Sequence, residues 1–254
     1  MIKSSIEIDT FKRENLFYAE SGRTLSDLRD STVLIYTFDK LIKKSELIKS
    51  DYDFSVFRKF LVEKNKNISA SKHKKSEVIN SLSTDLILAR SRVFDWAISG
   101  DSFKIIKKDL RRIYEQGQIQ MNAVLNEAIK LNVHEWRKRV KDLWYSMRIL
   151  SNVWPEIMNP LVNLLRNLSD TLGDSNDLYL LKAQIISNQN KFKDDQHTSE
   201  LINFIDQRIV KLLKEARFIG RKIYSEESKY FVGRMQNYFE IWRSEYNPLK
   251  YSSV

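Results

Sequence analysis

The sequence predicts an all-α protein, and two observations predict it. The 254 residues include only six Gly and three Pro, so little in the chain would interrupt a helix. Apolar residues (42%) and charged residues (30%) are both plentiful, and the apolar ones recur at three- and four-residue spacing along most of the chain. Glu7 and Asp9 resemble the start of an alternating acidic strand, but Phe11 stands where the lysine of such a strand would follow, and that reading is rejected. The length suits one large domain or two of average size.

Taken in order, the opening residues have a helical pattern from about Asp9, with Phe11, Leu16 and Phe17 apolar. A second helix is expected from about Leu25 to Ile48, capped by Ser26 or Asp27 and burying Leu28, Val33, Leu34, Phe38, Leu41 and Ile42. A third begins over Asp53 to Val62, and the polar stretch Glu63 to Lys75 reads equally as a loop or a solvated extension. Glu77 to Ile98 resumes an amphipathic helix, which SGD at 99–101 ends with a C′ glycine and a fresh cap. Phe103 to about Leu131 follows, then Val133 to Leu150, then a break at Trp154-Pro155, because the residue before proline leaves the α region. Two short helices, Asn159 to Leu172 and Ser175 to Asn190, are expected around a turn at Gly173. A loop from Lys191 to Ser199 precedes two long helices, Glu200 to Tyr224 and Ser228 to Tyr246, and a frayed tail. LSDLRDSTVL at 25–34 and LSDTLGDSNDL at 168–178 match once one residue is inserted, which suggests two related helical bundles.

Function is carried by Val133–Leu150. Wound at 3.6 residues per turn, it sets His134, Arg137, Lys138, Lys141, Tyr145 and Arg148 along one stripe, with Val133, Trp136, Val140, Leu143, Met147 and Leu150 opposite. A solvated face is the ordinary reading of such a stripe. Only Glu135 and Asp142 interrupt it, however, and like charges one turn apart repel unless an anion occupies them. Lys104, Lys107, Lys108 and Arg111 repeat the spacing on the preceding helix. With a net charge of +10 and a pI near 9.5, the first expectation for a partner is an anion. Trp136 and Trp144 read as core, Arg29 beside Asp30 as a structural ion pair, and His73 and His197 as incidental loop residues.

Other chemistry fails on spacing. His134-Glu135 lacks the second histidine of a zinc protease, since position 138 is Lys138. No phosphate-loop, dinucleotide or nucleophile-elbow motif occurs, and the chain has no cysteine, so no cofactor, no metal and no catalytic residue is expected. The absence of cysteine fits a reducing compartment, and no apolar run or leader suggests a membrane span, so a cytoplasmic protein is expected.

The string HEWRKRVKDLWY at 134–145 resembles the signature of CHAD domains. GRTLSDLRDSTVLIYTFDKL at 22–41, LRRIY at 110–114, LGDSNDL at 172–178 and GRKIYSEESKYF at 220–231 follow in the family's order. The resemblance implies one domain over residues 1–254, made of two four-helix-type bundles (about 1–102 and about 103–254) related by pseudo-twofold symmetry. It also implies a basic groove or pore binding inorganic polyphosphate, for which phosphate or sulfate would substitute in crystals, and association with polyphosphate granules. The chain departs from the family pattern in two ways. Residues 1–8 supply no first His-x-x-Arg-Lys helix, so the expectation is either a truncated chain or a first bundle that lacks its first helix unless a second chain, as in a homodimer, completes it. Glu115, Gln116, Gly117 and Gln118 stand where the family is arginine-rich.

The expectation is therefore non-enzymatic polyphosphate binding centred on His134, Arg137, Lys138 and Lys141. Lys108, Arg111, Arg112, Arg23, Arg217, Arg221, Lys222 and Arg234 are the surrounding contributors. The alternative is a basic helical protein that binds nucleic acid, weakly and at low salt.

Overall fold

A computed structural model describes residues 1–43, 54–69, 72–98, 100, 102–192 and 195–246. Among these residues every regular element is helical, as the breaker-poor composition implied. The α-helices are α1 (Ile8–Lys43), α2 (Ser55–Ser69), α3 (Lys72–Arg92), α4 (Lys104–Asn126), α5 (Lys130–Leu150), α6 (Pro155–Ser187), α7 (Asp195–Ile223) and α8 (Ser228–Tyr246). Their contacts define two compact units. One comprises Met1–Ser5, Ile98–Asn176 and the described residues from Val210 onward; the other comprises the described residues of Ile6–Ala97 with Asp177–Ile209.

The first unit is built on the α4–α5 hairpin. Glu127 and Ile129 adopt extended backbone between the two helices, so the chain reverses within a few residues. All six apolar positions anticipated on α5 are buried, and α4 adds Leu110, Ile113, Tyr114, Met121 and Val124. Met158, Leu165, Leu168 and Leu172 of α6, Ala216 of α7 and Phe231 and Met235 of α8 complete this core. Each fully buried Leu-sized side chain contributes roughly 1.5–3 kcal/mol before its ordering cost. Tyr114 stacks on Phe231 at 4.2 Å, and its hydroxyl donates to the Ile223 carbonyl at 2.9 Å, which fixes α4 against the α7–α8 turn.

In the second unit α1 packs on α2 and α3. Phe57 meets Phe192 at 4.3 Å, beside buried Phe38, Leu41, Leu61, Leu181 and Ile205. The Arg92 guanidinium forks onto the buried Glu14 carboxylate, both contacts being 2.9 Å, and ties α3 to α1.

The structure corrects the sequence in two places for one reason. The break expected near Gly22–Asp27 does not occur, and α1 runs through it. The turn expected at Gly173 does not occur either, and α6 runs through LGDSNDL. Hydroxyls near both expected breaks bond the carbonyl four residues back inside the helix: Ser21 to Phe17 (2.8 Å), Thr24 to Glu20 (3.1 Å) and Thr171 to Asn167 (2.9 Å). The Trp154-Pro155 break is present, with Pro155 opening α6. The stretch 63–75 is helical to Ser69 and again from Lys72, and α7 begins inside the expected 191–199 loop. Gly100 has φ +93°, but α3 ends at Arg92 with a 3-10 turn to Asp95, so this glycine does not cap the helix as expected. Residues 44–53, Ser99, Asp101 and 247–254 lie outside the described residues. So do the side chains of Ser26, Asp27, Leu28, Arg29, Asp30 and His73.

Candidate functional site

On α5 the apolar stripe fixes the rotation of the helix, and the basic stripe is thereby carried to its other side. His134 and Arg137 are half-buried there, and α6 supplies what they rest on. A Cβ built on Gly173 would lie 3.1 Å from Nε and 3.2 Å from Nη2 of Arg137, so the guanidinium lies directly against the α6 backbone. Its Nε is shielded from water and has no hydrogen-bond partner among the described residues. One helical turn further along α6, the Asn176 side chain lies near enough to the His134 imidazole to act on its charge. Burial pushes the His134 pKa down; the charges of Lys138 and Arg137 add to this, and Glu135 and the Asn176 side chain oppose it.

The remaining cations of the stripe are partly compensated, which corrects the expectation of a bare row. Lys138 bonds Glu135 at 2.6 Å, and beside the stripe Arg139 pairs with Asp142 at 2.9 Å, each across three residues of α5. Both pairs are substantially exposed, so each contributes at most about 1 kcal/mol and leaves the cation able to exchange partners. Lys141 is half-buried, with its ammonium 5.8 Å from the Tyr145 ring. Arg148 lies over Trp144 at 5.2 Å, and Trp144, expected in the core, is only half-buried.

The surrounding cations divide by what holds them. Lys108 is exposed on α4, as are Arg221 and Lys222 at the end of α7, where the Lys222 ammonium sits 4.3 Å over the Phe218 ring. Arg111 is committed to Glu115 at 2.8 Å and Ser228 at 3.2 Å, and Arg112 pairs with Asp109 at 3.5 Å. The Ser228 hydroxyl and the Arg111 guanidinium hold the Glu115 carboxyl below the usual carboxylate range, so the acid standing in the Glu115–Gln118 run also neutralises a cation. Arg217 donates from Nη2 to the Val124 carbonyl at 2.8 Å and so caps the end of α4. Arg234 is clamped to Glu226 and lies 5.6 Å over the Phe231 ring. Arg23 is exposed on α1 in the other unit, with Nε donating to the Ala19 carbonyl at 3.4 Å.

His134 and Arg137 are thus brought together on α6, whereas Arg111, Arg217 and Arg234 are engaged in holding the fold. Sequence reading missed Gly173, which it took for a turn, and Asn176, which it placed in a helix without a role. The signal was present: Leu165, Leu168 and Leu172 keep helical spacing straight into the segment. A cavity of about 490 Å³ in the same unit is lined by Glu115, Gln118, Ile119, Met121, Asn122 and Tyr224, and none of the anticipated contacts borders it. Among the described residues no group of three or more His, Asp or Glu side chains is arranged to hold a metal ion, and no helix is long and apolar enough to cross a membrane.

The family model described as the CHAD domain matches residues 10–185. No curated protein and no solved structure matches the chain.

Proposed function

Because this chain belongs to the CHAD domain family, whose model spans more than half of it, we propose that it binds inorganic polyphosphate through the basic face of α5, as a receptor and not a hydrolase. The family is associated with polyphosphate binding. The observation that carries the reading to particular residues is Arg137: a half-buried guanidinium with no carboxylate partner among the described residues, set one turn from His134. A partly desolvated cation without a counter-charge carries some cost in the free protein, and an anion that arrives there relieves it. Polyphosphate is a repeating anion with no bases to read, so its receptor needs fixed donors along a rigid element. Arg137 offers forked donation to phosphate oxygens, Lys138 and Lys141 offer compact charge, and His134 offers an N–H.

The test is charge reversal, Arg137→Glu with Lys141→Glu, assayed by calorimetry with long-chain polyphosphate at physiological salt. Both substitutions leave the buried face of α5 intact, so helicity by circular dichroism is expected to be unchanged. Loss of two charge-assisted contacts is expected to weaken binding by about 100-fold or more. Retained affinity would reduce the stripe to solvated surface. DNA is the appropriate competitor: if duplex DNA displaces polyphosphate at physiological salt, the nucleic-acid reading replaces this one.

A further inference from the structure

Gly173, in the LGDSND segment, stands in the middle of the long helix α6. Glycine is the least favourable residue short of proline at such a position, and alanine the most favourable. Nothing about the local backbone requires glycine at 173, where φ is not positive. What requires it is Arg137. Three atoms of the guanidinium group, Nε, Nη2 and Cζ, lie 3.1, 3.2 and 3.5 Å from where a Cβ would be, the first two closer than side chains ordinarily pack. The Nε–Nη2 edge of the guanidinium is therefore turned toward the α6 backbone. On the same face of α6, three residues along, Asn176 lies near the imidazole of His134.

We propose that Gly173, seconded by Asn176, is a positioning residue for phosphate recognition: the bare backbone at 173 is a slot that sets the Arg137 guanidinium beside His134 before any ligand arrives. This rests on the polyphosphate reading above. Helix propensity is forgone at 173 in exchange for a preorganised donor pair, and preorganisation lowers the ordering cost of binding.

The substitution Gly173→Ala separates positioning from scaffolding because the two roles move different readouts. Arg137 is long and can shift aside, so the melting temperature is expected to stay level or rise as the helix gains alanine. Polyphosphate affinity is expected to fall roughly tenfold, the order of one lost charge-assisted contact. In an Arg137→Ala background the same substitution should cost no affinity, since there is nothing left to position. Affinity unchanged by Gly173→Ala would overturn the inference, and so would an equal loss in both backgrounds or a loss that tracks a falling melting temperature. Absence of binding by the unaltered chain would instead remove the polyphosphate reading, and this inference with it.

Discussion

His134 is the one stripe residue whose charge changes near neutral pH. Burial first, then Lys138, depress its pKa below the ordinary 6.5 in the free protein, and bound phosphate would push it back up. Binding then takes up a proton between those two values. Affinity for polyphosphate is expected to strengthen as pH falls through that window, by at most about tenfold per unit, and to be flat above it. Calorimetry across pH checks this, and His134→Gln should flatten the profile while leaving Arg137-dependent binding in place. Fold stability runs the other way: the unfolded chain takes the proton more readily, so the His134 contribution is unfavourable as pH drops below about 6.5. A second glycine behaves differently from Gly173. A Cβ on Gly117 would come within 2.3 Å of the hydroxyl of Tyr224, a residue only 5% exposed. Gly117→Ala is expected to destabilise by about 1–3 kcal/mol in urea unfolding, overpacking outweighing the helix gain.

At the scale of elements, α5 was legible because one period served both faces: Val133, Trp136, Val140, Leu143, Met147 and Leu150 are all buried, which leaves the basic stripe only the other side. The helix ends around 22–27 and 172–176 were misread because Ser, Thr, Asp and Gly signal a cap only when the chain leaves the helix. Packing along α1 and α6 keeps it in. The site was legible in its α5 half and illegible in its α6 half, since which helix would approach Arg137 depends on the folded arrangement and not on any local pattern. α3 depends on few contacts of its own, burying only Ala89 among its described side chains, so the Arg92–Glu14 fork has a disproportionate share in holding it. Hydrogen bonds from Arg92 keep the Glu14 carboxyl ionised below its usual range, so that contribution is present at neutral pH and is lost as pH falls through the lowered value. Arg92→Met is expected to lower the melting temperature at pH 7 and to reduce its further fall on acidification, measured by circular dichroism of the full chain.

For the whole molecule, a net charge of +10 attracts any polyanion, and general attraction has to be told apart from a site. Each neutralised phosphate adds about 0.7–0.9 to the log–log dependence of affinity on salt. Arg137→Gln is expected to reduce that slope by about one. Arg166→Gln, which removes the same unit of charge from an exposed pair with Asp170, should leave it nearly unchanged. Fluorescence titrations from low to physiological salt would show the difference, and equal slopes would mean that charge alone governs binding. The unit that carries the stripe is assembled from separated stretches of chain, with Tyr114 of α4 bonded to a carbonyl 109 residues later. During translation the α4–α5 hairpin must therefore wait roughly 5–20 s, at about 5–20 residues per second, for α7 and α8 to leave the ribosome. Throughout that interval Tyr114 and Trp136 are uncovered beside a row of cations, and the nascent chain is a natural client for chaperones until its last helices arrive.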